Sequence, residues 1–266
     1  MDKGIYTALS GGIAKSHEVE IIANNLANAN TPGFKRDSGT FNEYLTELRR
    51  PDTVEGLQRE MSQTALLDAR PQGDKSFVEM DGVYTSFTQG ALKRTSIPFD
   101  MALEGKGFFE VLTPSGVRYT RQGNFNLSKE GTLVTSNGFP VLAKGAGAPE
   151  QRLMRFTQGA VEVSPNGQVK QGGQPLGELS IVEFHENQWL EKVGNAYFRN
   201  TDDNNEKKGL PVETRVNQGF IETSNVNAVH EMTRLIEATR GYESQMQAIK
   251  TYQEIDGRSV NDIGRR

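Results

Sequence analysis

The side chains best able to do chemistry are few in this chain, and their spacing does not suit them to it. There are three histidines, His17, His185 and His230. None lies within a few residues of another or inside an HExxH pattern, the spacings that bring two imidazoles to one metal. Each is expected to be solvated or hydrogen-bonded. No cysteine occurs, which removes disulfides, thiolate metal sites, iron–sulfur clusters and cysteine nucleophiles. Asp202-Asp-Asn-Asn-Glu206 is acid-rich, but Lys207 stands where a calcium loop requires glycine, so it reads as a polar turn. Gly105-Lys-Gly107 is a bare GxG without the crossover helix a dinucleotide site needs. Asp100, Glu104 and Glu110 are close in sequence, yet glycoside hydrolysis needs two acids facing one another in space. The single Trp189, with Tyr84, Phe87, Phe108 and Phe109, reads as core rather than as a stacking platform. The expectation is a chain with no catalytic, cofactor-binding or metal site.

Composition narrows the remaining classes. The 266 residues carry 30 Lys+Arg against 34 Asp+Glu, a net charge of −4. That balance argues against a partner held through phosphate contacts, so no nucleic acid is expected. Only 35% of residues are hydrophobic and the mean hydropathy is −0.59. This is low for one compact core, so part of the chain is expected to bury apolar surface against a partner. No apolar run is long enough to span a membrane as a helix. The opening MDKGIYTALSGGIAKSHEVE has no basic segment followed by an apolar one, so no cleavable secretory signal is expected. On these features alone the chain reads as cytosolic.

Proline organises the elements. The ten prolines run from Pro32 to Pro211, and a proline inside a helix costs about 3 kcal/mol. Both ends are therefore free to form long helices. At the N-terminal end Ile5, Leu9, Gly12, Ser16, Val19, Ala23 and Leu26 alternate in steps of four and three, a narrow coiled-coil seam. At the C-terminal end Ala228, Met232, Leu235, Thr239, Tyr242, Met246 and Ile249 repeat the pattern. Asn225 or Asn227 is placed to cap this second helix and Gly257 to end it. Between the ends, glycines at 105, 107, 116, 123, 131, 138 and 145 punctuate short β-like runs such as Phe108–Leu112 and Val117–Thr120, which implies consecutive hairpins. The chain is read as α+β: a coiled-coil helix over 1–30, an extended connector over 31–75, a central antiparallel β-rich domain over 76–222 and a coiled-coil helix over 223–266. The two terminal helices are expected to pair with each other and with neighbouring subunits.

Three groups of residues then carry a resemblance. The first is Asn24-Asn-Leu-Ala-Asn-Ala-Asn-Thr-Pro-Gly-Phe-Lys-Arg36, with Asn24, Asn25, Leu26, Asn28, Asn30, Thr31, Gly33, Phe34, Lys35 and Arg36 as its distinguishing positions. The second runs through Gln89-Gly-Ala-Leu-Lys-Arg-Thr95, Pro98–Phe109, Tyr119–Phe125 and Gly131–Gly138. The third is Ser224-Asn-Val-Asn-Ala-Val-His-Glu-Met232 with Ile236–Arg240. In this order, over nearly the whole chain, they resemble the flagellar rod/hook family of bacterial axial proteins. Within that family the opening residues look like a proximal-rod member, with a distal-rod member as the alternative. One departure is Thr95-Ser-Ile-Pro98, where the family usually has a Thr-Gly-Asn-Pro-like turn.

The resemblance implies a structural role. It implies a subunit exported unfolded by the flagellar type III apparatus and assembled in the periplasmic rod of the basal body, which replaces the cytosolic reading. The implied partners are further copies of the chain and other rod proteins, distal-rod subunits first. The assembly residues would be the seam positions Ile5, Leu9, Gly12, Val19, Leu26, Ala228, Met232, Leu235, Tyr242, Met246 and Ile249. Two other functions stand against it: a peptidoglycan-acting enzyme using a carboxylate pair, and a monomeric all-β binding module.

Overall fold

The computed structural model describes residues 2–46, 75–157, 159–194, 196–202, 204–206 and 213–263. Helix α1 spans Asp2–Ala27. Strands β1 (Asp37–Thr46) and β2 (Lys75–Thr85) follow it. The β-rich centre comprises β3 (Leu92–Arg94), β4 (Met101–Glu104), β5 (Phe108–Thr113), β6 (Gly116–Thr120), β7 (Asn126–Leu127), β8 (Leu133–Val134), β9 (Val161–Val163), β10 (Gln168–Gln171), β11 (Gln174–Glu178), β12 (Ile181–Val182), β13 (Leu190–Lys192), β14 (Tyr197–Asn200), β15 (Arg215–Gln218) and β16 (Phe220–Glu222). Helix α2 spans Ala228–Ile263. The protein thus has a helix at each end and a β-rich middle. Most of the expected connector, 47–74, lies outside the described residues. Its described flanks, β1 and β2, pair as a two-stranded sheet.

The chain divides into two compact units. One comprises Met1–Ile22, Gly39–Val83 and Met232–Arg266, the other Ala23–Ser38 and Tyr84–Glu231. In the second unit the main sheet is antiparallel, in the order β12-β5-β6-β14-β13. Because successive strand side chains point to opposite faces, Phe108 and Phe109 on β5 seed two different cores. Phe109 packs with Met101, Leu103, Val111, Phe125 and Leu133. Phe108 packs with Tyr119, Phe184, Leu190 and Phe198. Its ring meets those of Phe184 and Phe198 edge-on at 5.6 and 5.8 Å, an arrangement that adds to the burial energy of each ring.

Local hairpins form where glycine turns allow them: β5–β6, β7–β8 and the meander β9–β10–β11. Two further pairings close the unit over long sequence distances. β4 pairs with β15 and β3 with β16, so the end of the β region returns to its beginning.

The ends of the helices have local causes. In α2 the Asn227 side chain accepts from the backbone N–H of His230 at 3.2 Å, and its carbonyl accepts from Glu231 N–H at 2.9 Å. This is an N-cap. Asn225, the other candidate cap, is used elsewhere. Gly257 does not end α2, which runs on to Ile263; an isolated helical glycine costs only about 1 kcal/mol. Helix α1 stops where Asn28 turns its amide back onto the Asn24 carbonyl at 2.9 Å and Pro32 follows.

Candidate functional site: a buried clasp around the N-terminal motif

In the second unit the N-terminal motif is built into the β region. Beyond α1 the chain turns at Gly33, whose φ is +68°. A Cβ there would lie 2.4 Å from the backbone carbon of Arg121, so both the conformation and the space require glycine. Gly33 N–H donates to the Glu222 carbonyl at 2.8 Å, and the Arg36 carbonyl accepts from Ser86 N–H at 2.8 Å. Asn25 acts as a strand mimic: its amide donates to the Asp37 carbonyl at 2.7 Å and accepts from Asp37 N–H at 2.9 Å. Asn225 does the same for Arg36 N–H at 2.8 Å, while its own amide donates to the Ser86 carbonyl at 2.9 Å.

Charge completes the clasp. Lys35, Arg121 and Glu222 are 1%, 3% and 0% exposed. Lys35 Nζ donates to Glu222 Oε1 at 2.6 Å and to the Thr88 carbonyl at 2.8 Å. Gly90 N–H donates to the same carboxylate oxygen at 2.8 Å. Arg121 reaches Glu222 Oε2 at 3.4 Å and the Gly105 carbonyl at 2.6 Å, and its guanidinium lies 4.9 Å from the Phe108 ring centre. Burial pushes the Lys35 ammonium below its ordinary pKa, with Glu222 pulling it back up; Arg121 is lowered for the same first reason. Around this centre, Arg36 Nε stands 2.8 Å from Glu231. Lys192 Nζ donates to Asp37 at 2.7 Å and to the Lys35 carbonyl at 2.9 Å, over the Phe34 ring. One carboxylate thus holds three separate stretches of chain together. Sequence reasoning marked Lys35 and Gly33, took Asn225 for a helix cap and Arg121 only as part of a motif, and missed Glu222 and Lys192, whose charges have no periodicity to betray them.

A second polar cluster sits on the main sheet. Arg152 holds Glu110 through two bonds of 2.9 and 2.7 Å, and Ser180 Oγ donates to the same carboxylate at 2.5 Å. The Tyr119 hydroxyl donates to Glu206, and burial followed by that bond raises its pKa above the ordinary 10.0. Glu110, Arg152, Ser180 and Glu206 line a cavity of about 440 Å³. Of the three acids close in sequence, Glu110 is locked by Arg152, Glu104 is exposed and accepts from Asn217, and Asp100 is buried beside Asn124. They do not form a facing pair. Among the described residues no group of three or more His, Asp or Glu side chains is placed to hold a metal.

The proposed seam residues fall unevenly. In the first unit α1 and α2 run antiparallel: Gly11 and Gly12 face Gln245, Gly241 faces Lys15, and Arg234 reaches Glu18 at 3.5 Å. Of the seam positions, Gly12 and Ile249 are buried. Ile5, Val19, Leu26, Ala228, Leu235 and Met246 are half-buried. Leu9, Met232 and Tyr242 are exposed. The buried small residues Ala8, Ala14 and Ala238, and Ile22, were not marked from sequence. Their signal is weak because alanine contributes little to an apolar periodicity. The exposed apolar side chains keep helical spacing on each helix, as Tyr6, Leu9 and Ile13 on α1 and as Met232 and Ile236 on α2.

Comparison with known proteins gives three family matches. The description "Flagella basal body rod protein" covers residues 5–35. "Flagellar hook protein FlgE/F/G D1 domain" covers 102–171, and "Flagellar basal body rod FlgEFG protein C-terminal" covers 217–263. Lys35, Arg121 and Glu222 each fall within a different one of these segments. The chain is 35% identical over 266 residues to the flagellar basal-body rod protein FlgF of Caulobacter vibrioides, covering 100% of this chain and 99% of the relative. It is 32% identical to the rod protein FlgG of Buchnera aphidicola, covering 94% and 96%. It is 30% identical to the FlgG of Bacillus subtilis, covering 98% and 99%. All three relatives are named as flagellar basal-body rod proteins.

Proposed function

Since the chain belongs to the flagellar basal-body rod protein family, we propose that it is a rod subunit that polymerises with its neighbours into a helical tube and transmits torque from motor to hook. The carrying observation is the set of apolar side chains left exposed at helical spacing on α1 and α2. Met232 and Ile236 are 51% and 54% exposed, so burying the remainder of each is worth about 1 kcal/mol, roughly half the value for a fully exposed side chain. Packed against helices of adjacent subunits they would supply coiled-coil contacts. Heterologous contacts of this kind do not close into a ring and so propagate a filament. The expected setting is the periplasmic proximal rod beside distal-rod subunits, reached by type III export in an unfolded state. The domain division drawn from sequence, with a β-rich body at 76–222, belongs to the same reading.

The test separates assembly from folding. Met232→Asp and Ile236→Asp place charge on exposed positions. The purified chain should keep its melting temperature, while cells should lose motility and the chain should be absent from basal bodies. Ala238→Asp, at a buried position, should lower the melting temperature as well. Normal rods carrying Met232→Asp and Ile236→Asp together would refute the helical assembly surface.

A further inference from the structure

Two exposed features of the second unit have no role in the clasp, and their chemistry is complementary. The first lies along β13, the edge strand of the main sheet. Leu190 is buried and Lys192 reaches Asp37, so by strand alternation Glu191 points the other way; Trp189, the last residue of the short 3-10 turn Asn187–Trp189 that leads into β13, and Val193, just after the strand, are exposed beside it. Trp189 is 45% exposed although its backbone is pinned: Thr201 donates to its carbonyl through N–H and Oγ1, both at 2.9 Å. Beside it are the carboxylates of Glu191, paired with Arg199, and Glu186, whose bond to the neutral Gln188 leaves its charge in place. A half-exposed tryptophan on a held backbone is of a residue type enriched at the energetic centres of interfaces.

The second feature is the turn Thr95–Pro98 between β3 and β4. Ser96 has φ +61° and is the one non-glycine among the described residues in the left-handed region. The turn is held rigid, with Thr95 and Ser96 N–H donating to the Gly219 carbonyl at 2.8 and 3.1 Å and Gln218 donating to the Pro98 carbonyl at 2.8 Å. Such strain persists only where its surroundings over-determine it, and it concentrates at functional positions. Here it presents Ile97, 52% exposed, a few residues after Arg94, which is exposed at the end of β3.

We propose that the Thr95–Pro98 turn of one subunit docks on the Trp189–Val193 face of a second copy of this chain. Ile97 and Pro98 would cover the indole, and Arg94 would stand near Glu186. The apolar anchor supplies residence time and the charges set register and partner choice. The two surfaces differ, so the contact is heterologous and repeats from subunit to subunit. The proposal rests on the rod reading and adds to it a specific contact between β regions, separate from the helices.

The absence of cysteine from the natural chain makes a clean test possible. The full-length double variant Ile97→Cys with Trp189→Cys, expressed in place of the natural copy, should give a ladder of disulfide-linked oligomers from mildly oxidised basal bodies. The two single variants should give none. Glu186→Lys should lower the amount of chain incorporated, on the order of tenfold, and Arg94→Glu added to it should restore incorporation. Only monomer from basal bodies that contain the double variant would overturn the contact, as would a dimer from either single variant or a failure of the charge swap to rescue. Absence of the wild-type chain from basal bodies would instead overturn the rod reading, and this contact with it.

Discussion

Replacing Glu222 by Gln keeps the shape of the side chain and removes one charge from the centre of the clasp. In the Glu222→Gln variant the amide oxygen would still accept from Gly90 N–H and Lys35, but two buried cations, Lys35 and Arg121, would lose their common counter-charge. Breaking a buried pair by removing one partner costs about 3–5 kcal/mol, because the remaining charge is uncompensated. Lys35→Met is expected to cost less, about 1–3 kcal/mol. It forfeits the bond to the Thr88 carbonyl but leaves Glu222 with Arg121 and Gly90, and it removes an ammonium that burial already disfavours. The double variant should cost less than the sum, since Lys35→Met relieves the charge that Glu222→Gln strands. Urea unfolding followed by fluorescence reads this directly, because Trp189 is the single tryptophan and lies in the same unit. The pH dependence adds a sign. The folded pKa of Lys35 lies below its ordinary 10.5, and loss of Glu222 lowers it further. Between the folded pKa and 10.5 the unfolded chain binds more protons, so stability rises with pH there. The deficit of Glu222→Gln should therefore shrink as pH climbs towards 10.5. A Glu222→Gln variant within about 1 kcal/mol of wild type, or a Lys35→Met variant that is the worse of the two, would refute the reasoning.

Gly33→Ala should destabilise the second unit by about 3 kcal/mol or more, from left-handed strain plus a Cβ driven into the Arg121 backbone; a circular dichroism melt unchanged from wild type would contradict it. Ser96→Gly should stabilise by about 0.5–1 kcal/mol, relief of strain at φ +61° being partly offset by the extra freedom of glycine in the unfolded chain, and a lowered urea midpoint would count against the strained turn. Tyr119→Phe should cost about 1 kcal/mol at neutral pH through the bond to Glu206. Because the folded pKa of Tyr119 is raised, its contribution is complete below the ordinary 10.0 and is lost as pH rises beyond it. The variant should therefore lose less stability than wild type in strongly alkaline buffer; parallel stability curves would exclude the effect.

Features under local chemical control were legible in the residues alone. Proline-free ends became two long helices, Asn227 became a cap, and glycine-bearing turns became the β5–β6, β7–β8 and β9–β11 hairpins. Motif order was enough to indicate the family. The missing glycine of Thr95–Pro98 pointed to a turn that proves strained at Ser96. Tertiary structure settled everything that depends on distant segments meeting. β3 with β16 and β4 with β15 are short strands separated by over a hundred residues, and no local pattern selects such partners. The clasp exists only because those pairings carry Glu222 to Lys35 and Arg121. A buried salt bridge has no sequence signature, since each charge alone looks like a solvated one. On the helices, heptad spacing found apolar residues but did not separate those buried within the subunit from those left exposed. Ala238, Gly12 and Ile249 are buried while Met232 and Leu9 are exposed, because the packing of the two helices, and not apolar spacing alone, decides which positions are covered.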